Sequence, residues 1–275
     1  MLDRSPPLPR FIYRTKRAYL TLISHPDKPR RLSLVILAAL VILFCLSRVP
    51  PRSCSSNVPA FFQILYCGNE LVASRPIQFQ NILVVYDAKD QSRTTPHSYI
   101  DFSRKRIGPA SEIVEHILQK GFRDILLLGL GGAAMPFLIT DKCNDCVVTA
   151  IDNSKDALYI ARQYGKSDQG NYQLKYILED AEDYVKSGQD KSHDVVIADL
   201  SVGVQIPDFI YDPSFIANVH RLIKDRGQYI VMLYMPNNVD HGKMKLYAAL
   251  SRTFISVAIK ETEHYNPHFI LVASK

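Results

Sequence analysis

Beyond residue 123, short apolar runs alternate with helical segments, and this alternation constrains the fold more than any other feature of the chain. DILLLGL (124–130), CVVTAID (146–152), LKYILED (174–180), HDVVIADL (193–200) and QYIVMLY (228–234) read as strands. Between them lie three helical segments. SKDALYIARQYG (154–165) has Ser154 as N-cap and Gly165 beyond its end. AEDYVKSG (181–188) is short, and DPSFIANVHRLIKDRG (212–227) opens on Asp212-Pro213 and is expected to run to Gly227. A helix around 243–252 and two last runs, SVAIKE (256–261) and HFILVAS (268–274), complete the series. Strands this apolar, separated by helices, imply an α/β fold with a parallel sheet covered on both faces, here residues 109–275. In such sheets ligands bind outside the carboxyl ends of the strands, near the point where strand order reverses.

The preceding segments are simpler. PASEIVEHILQKG (109–121) reads as a helix with Ile113, Ile117 and Leu118 on one face. ILVVYD (82–87) and SYIDF (98–102) form an expected small β-hairpin within 81–108, and 48–80, rich in Pro and Ser at its start, reads as a linker.

Between Arg31 and Arg48 run sixteen residues without a charge, LSLVILAALVILFCLS. A spanning helix needs roughly 20 apolar residues, with about 17 as the lower limit, so a transmembrane anchor over 33–47 sits at the short edge. A signal-peptide core and a buried helix are the alternatives. The whole chain carries 33 Lys+Arg and 27 Asp+Glu, a net charge of +6. Its first 52 residues hold ten basic and two acidic residues, +8, which leaves −2 for the rest. The positive charge therefore speaks for a basic cytoplasmic tail (1–32) beside a membrane, not for nucleic acid. The positive-inside rule keeps the N-terminus cytoplasmic and sends the body across. With 47% hydrophobic and 22% charged residues the chain is not disordered, and five cysteines exclude a disulfide-stapled miniprotein.

The chemistry-bearing residues fall at strand ends. The first strand runs into Gly129-Leu130-Gly131-Gly132, a turn that admits a ligand to the backbone ahead of a helix N-terminus. Asp152 ends the second strand, where a carboxylate can accept both hydroxyls of a ribose; its alternative use is to hold free N–H groups of the next helix. Asp180-Ala181 follows the third strand, suited to the exocyclic amine of an adenine or to a plain helix cap. Asp199 follows the fourth, beside the expected ligand. Three carboxylates and one glycine turn at one sheet edge are far more specific together than singly.

These residues carry a resemblance. ILLLGLGGAAMPFL, VTAIDNSKDALYIARQYG, YILEDAEDYV, HDVVIADLS and FIANVHRLIKDRGQYIVMLY resemble the spermidine synthase-like branch of the class I S-adenosylmethionine-dependent methyltransferases, over about 81–234. The resemblance implies a Rossmann-like sheet behind a small hairpin. It implies S-adenosylmethionine as cofactor, with Gly129, Gly131 and Gly132 along its methionine part, Asp152 at the ribose, Asp180 and Ala181 at the adenine, and Asp199 at the reaction centre. Departures weaken the polyamine reading. Aminopropyltransferases place an acid where this chain has Gly132 and a second acid where it has Val202, and they carry a Tyr-His pair that RKRIGPASEIVEH lacks. A methyltransferase with unknown acceptor is therefore expected, ahead of an aminopropyltransferase using decarboxylated S-adenosylmethionine and of an inactive binding module. A homodimer stays open as its quaternary state. Cys143 and Cys146 form a CxxC without a second cysteine pair, so no metal site is expected; two free loop thiols are the default, and a local disulfide is expected only in an oxidising compartment.

Overall fold

The computed structural model describes residues 62–78, 81–88, 98–103, 108–169, 173–200, 206–234, 239–261 and 268–275. The basic tail, the 33–47 anchor and Val202 lie outside the described residues. Among the described residues no helix is long and apolar enough to cross a membrane.

Four strands come first: β1 (Phe62–Cys67), β2 (Leu71–Pro76), β3 (Ile82–Asp87) and β4 (Ser98–Asp101). They pair antiparallel in chain order. The expected hairpin is thus half of a four-stranded sheet, and the 48–80 segment expected as linker contains two strands. The reason is burial: Leu71, Val72, Ala73 and Ser74 of β2 are all buried, and Leu71 and Ala73 join the same core as Leu83, Val85 and Ile100.

After α1 (Gly108–Lys120) comes the alternating part: β5 (Asp124–Leu128), α2 (Ala134–Lys142), β6 (Val147–Asp152), α3 (Lys155–Tyr164), β7 (Leu174–Leu178), α4 (Ala181–Ser187) and β8 (His193–Ala198). A 3-10 turn (Asp208–Tyr211), α5 (Pro213–Leu222), β9 (Ile223–Tyr234), α6 (Val239–Leu250), β10 (Ser256–Glu261) and β11 (His268–Ser274) close it. The second sheet has the order β10-β11-β9-β8-β5-β6-β7. Successive residues of β5 feed opposite cores: Ile125 and Leu127 pack with α1–α3, Leu126 and Leu128 with α4–α6. That two-sided burial is why the run DILLL lacks polar alternation. The small sheet shares the α1–α3 core.

Two expectations need correction. The sheet is not wholly parallel, because β11 runs antiparallel to both β9 and β10. The 262–267 connection is too short for the crossover that a parallel pair demands. The helix expected to reach Gly227 stops at Leu222. Ile223 is already extended and fully buried where it pairs with His193, and Lys224 forms an ion pair with Asp194 at 3.0 Å. The caps behave as their residue types dictate: Ser154 accepts from the Ala157 N–H at 3.3 Å and Asp212 from the Ser214 N–H at 2.7 Å, with Pro213 opening α5.

Candidate active site

The chain leaves the sheet centre through β5, runs outward through β6 and β7, and returns to β8 on the other side of β5. All four strands are parallel, so their carboxyl ends share one edge and strand order reverses between β5 and β8. A cavity of about 460 Å³ opens there, within the range of small-molecule sites. Gly129, Gly131, Gly132, Asp152, Asp180, Ala181 and Asp199 all line it.

Gly129 follows β5 with φ +89°, and a Cβ there would lie 2.1 Å from the Asp199 carbonyl oxygen. Only glycine permits that approach between the β5 turn and the β8 loop. A Cβ on Gly132 would lie 2.5 Å from Ser98 Oγ of the small sheet. Helix α2 then begins after Ala133, itself at φ 66°, with no side-chain cap. Pro136 falls in the first turn of α2, where a missing N–H breaks no helical bond.

Asp152 closes this turn. Its Oδ2 accepts the Leu130 N–H and its Oδ1 the Ser154 N–H, both at 2.8 Å. The carboxylate thus ties the glycine turn to the start of α3. Asp180 is the N-cap of α4, accepting the Glu182 N–H at 2.8 Å, with the Asn153 side chain at 3.4 Å. Here the structural use expected as an alternative is present, and Asp180 borders the cavity as well.

Asp199 is held by its N–H bond to the Leu128 carbonyl at 2.9 Å and is exposed to the cavity, not sealed in the core. The protein packed around it, and then the nearby Asp152 charge, push its carboxyl up to about 7. Both causes act upward; water in the open cavity works against their size. A carboxyl that titrates near neutrality at the switch point is suited to take a proton.

The opposite wall holds residues to which the sequence reading assigned no site role: Glu70, Asp87 and Ser98 from the small sheet, and Phe209 from the 3-10 turn. Asp87 ends β3 and Ser98 begins β4, so the strand-end rule that marked the other carboxylates also reaches Asp87. Asp156 lies behind this wall. It accepts the Tyr66 hydroxyl at 2.7 Å and the N–H groups of Glu70 and Leu71 at 2.7 and 3.1 Å. Burial alone would raise its carboxyl, but these hydrogen bonds prevail and hold it below the usual carboxylate range.

Cys143 and Cys146, expected by default as free thiols, are joined in a disulfide, and Cys67 is disulfide-bonded too. Sγ atoms of Cys143 and Cys146 and the Asp145 carboxylate cluster within 4.8 Å, but a disulfide offers no thiolate to a metal. The bond forms because Cys146, buried at the start of β6, meets Cys143 at the C-cap of α2, Cα to Cα 5.5 Å.

Residues 126–231 match a family model described as Methyltransferase domain. No curated protein matches the chain. Among solved structures, it is similar to a probable spermidine synthase from Corynebacterium glutamicum, at 17% identity over 77% of this chain and 79% of that one, TM-score 0.63. The spermidine synthase of Thermotoga maritima gives 15% identity, 78% and 73% coverage and a TM-score of 0.58. A spermidine synthase in complex with the transition-state analogue AdoDATO gives 14%, 78% and 74%, and 0.59. At these identities the likeness is one of fold. Its extent, over three quarters of the chain, is greater than the seven-stranded domain alone. The chain therefore has a Rossmann-like methyltransferase fold of the spermidine synthase-like architecture, and the match over residues 126–231 supports S-adenosylmethionine as the cofactor.

Proposed function

We propose that this chain is a membrane-anchored, S-adenosylmethionine-dependent methyltransferase of the spermidine synthase-like type, with Asp199 as the base toward its acceptor. The observation that carries the reading is the joint placement of the glycine turn, Asp152, Asp180 and Asp199 around one cavity at the switch point. The cavity fits the cofactor in kind: the side-chain-free Gly129, Gly131 and Gly132 line it together with the carboxylates of Asp152, Asp180 and Asp199. The bound cofactor supplies an activated methyl group on a sulfonium. Gly129, Gly131 and Gly132 let its methionine part approach the turn, Asp152 accepts ribose hydroxyls, and Asp180 with Ala181 borders the adenine. Asp199 orients the acceptor and takes its proton.

The anchor over 33–47 and the cytoplasmic tail rest on the apolar run and the +8 charge before residue 53. The disulfides at Cys67 and Cys143–Cys146 support a body on an oxidising side of the membrane, as the positive-inside rule requires. Protease protection of the body in intact vesicles tests this; digestion from the cytoplasmic side refutes it.

A second reading, aminopropyl transfer from decarboxylated S-adenosylmethionine, is favoured by the fold likeness to spermidine synthases. Gly132 in place of an acid speaks against it. Thermal melting of the full chain with S-adenosylmethionine, S-adenosylhomocysteine and the decarboxylated form separates the readings, since a ligand specific to the folded state raises Tm. Larger shifts with the two carboxylated ligands are expected. A larger shift with the decarboxylated form would establish aminopropyl transfer. No shift with any, and none lost in Asp152→Ala, would leave a binding module.

A further inference from the structure

Three buried side-chain polar atoms among the described residues have no hydrogen-bond partner: Arg75 Nε, Ser98 Oγ and Tyr229 OH. Of these residues only Ser98 lines the cavity. A buried hydroxyl without a partner is costly, and in a cavity it marks a place where a ligand completes the bonding. Ser98 begins β4, paired with Val85 of β3, and its hydroxyl abuts the glycine turn. A Cβ would lie 3.4 Å from Ser98 Oγ at Gly131 and 2.5 Å at Gly132.

We infer that Ser98 is a specificity-determining residue, whose hydroxyl donates to the α-carboxylate of S-adenosylmethionine and so selects it over the decarboxylated form. The inference rests on the methyltransferase reading, which lays the methionine part along the turn. Three features make this corner of the cavity receptive to an anion. Ser98 offers a donor. Helix α2 starts beside it with no side-chain cap on its first-turn N–H groups. Position 132 carries no acid to repel a carboxylate. Asp87, two residues along β3 from Val85, brings a carboxylate to the same wall, where the α-ammonium of the zwitterion would meet it. The decarboxylated cofactor keeps the amine and loses only the group that Ser98 would hold.

Dissociation constants of the full chain for S-adenosylmethionine, S-adenosylhomocysteine and decarboxylated S-adenosylmethionine test this by calorimetry. The wild-type protein should prefer the first two. Ser98→Ala should weaken both by roughly ten-fold or more, the effect of losing a hydrogen bond to a charged group, and leave the decarboxylated ligand unchanged. Ser98→Asp should reverse the preference by repelling the carboxylate. Equal weakening of all three ligands in Ser98→Ala, or no weakening, overturns the role of Ser98 while leaving the cofactor reading intact. Equal wild-type affinity for the carboxylated and decarboxylated ligands also overturns it, whether or not either variant folds. Wild-type protein that binds none of the three overturns the reading beneath it.

Discussion

The two walls of the cavity are built by different means. One wall consists of four loops that follow β5, β6, β7 and β8, and the parallel ladder alone brings their residues together. The other wall comes from the small sheet, and hydrogen bonds to Asp156 tie the Glu70–Leu71 corner of that sheet to α3. The two aspartates that typify these walls are perturbed in opposite directions. Asp199, facing the cavity, gains no compensating donor among the described residues and is pushed up to about 7. Asp156, behind the wall, is held low by the donors around it. A carboxylate left short of donors can do proton chemistry; one saturated with donors can hold two pieces of chain together.

The largest expected effect is on the first wall. Gly129→Ala forces a Cβ to within 2.1 Å of the Asp199 carbonyl at a backbone φ of +89°. The cost should exceed about 3 kcal/mol, with cofactor binding lost, as denaturant melts and calorimetry would record. Unchanged binding would mean that the β5 turn does not form this wall.

Asp199→Asn comes next. Transfer should fall by about 10² to 10⁴, the span of general-base catalysis, with cofactor affinity little altered. The wild-type rate should rise with pH through about 7 as the carboxyl ionises. Stability should move the other way. Between the unfolded value near about 4 and the folded value, the folded state binds the extra proton, so stability is lost as pH rises through that window. The asparagine removes that loss. In cofactor-free protein at pH 8 it should raise Tm by about 2–4 °C, taking about 1 kcal/mol after discounting for the water-filled cavity. Asp152→Ala strands the Leu130 and Ser154 N–H groups, and should cost about 1–3 kcal/mol together with cofactor affinity.

The contrast between the walls also explains what could be read from the sequence. Gly129, Asp152, Asp180 and Asp199 each sit at the end of an apolar run, and a parallel sheet sends every such end to the same edge. Sequence position thus stands in for spatial position. On the second wall only Asp87, at the end of β3, carries such a mark. The partners of Asp156 lie 85, 86 and 90 residues away, and in SKDALYIARQ it looks like an acid in a helix's first turn. Strands β1 and β2 fall in the segment that its Pro- and Ser-rich start marks as a linker, and FQILYC and LVASRP show no clean alternation to set them apart from it. Ala73 and Ser74 are poor strand formers, and it is tertiary burial that makes them a strand. The disulfide at Cys143–Cys146 depended on how closely the end of α2 approaches the start of β6, which spacing alone does not specify.

The second wall offers the smaller effects. Asp156→Asn keeps the size of the side chain but weakens its acceptance of three donors, which should cost about 1–2 kcal/mol. Its pH dependence should oppose that of Asp199. A depressed folded value gives stability that is present above the unfolded value, near about 4, and is lost as pH falls through the folded one. The wild-type advantage over Asp156→Asn should therefore shrink in acid, whereas Asp199→Asn should gain on wild type above neutrality.

Tyr66→Phe isolates one strut of the same hold. It deletes the 2.7 Å bond to Asp156 but leaves the ring against Tyr159, centroids 4.5 Å apart. About 1 kcal/mol is expected, and less than that on top of Asp156→Asn, because that change already weakens the same bond. A double-mutant cycle reads the coupling directly. Coupling near zero would mean that the backbone N–H groups of Glu70 and Leu71, not the tyrosine, hold the small sheet to α3. Coupling close to the full single-mutant cost would make Tyr66–Asp156 a principal strut of that wall, and weaker cofactor binding in Tyr66→Phe would then follow from a loosened Glu70 corner.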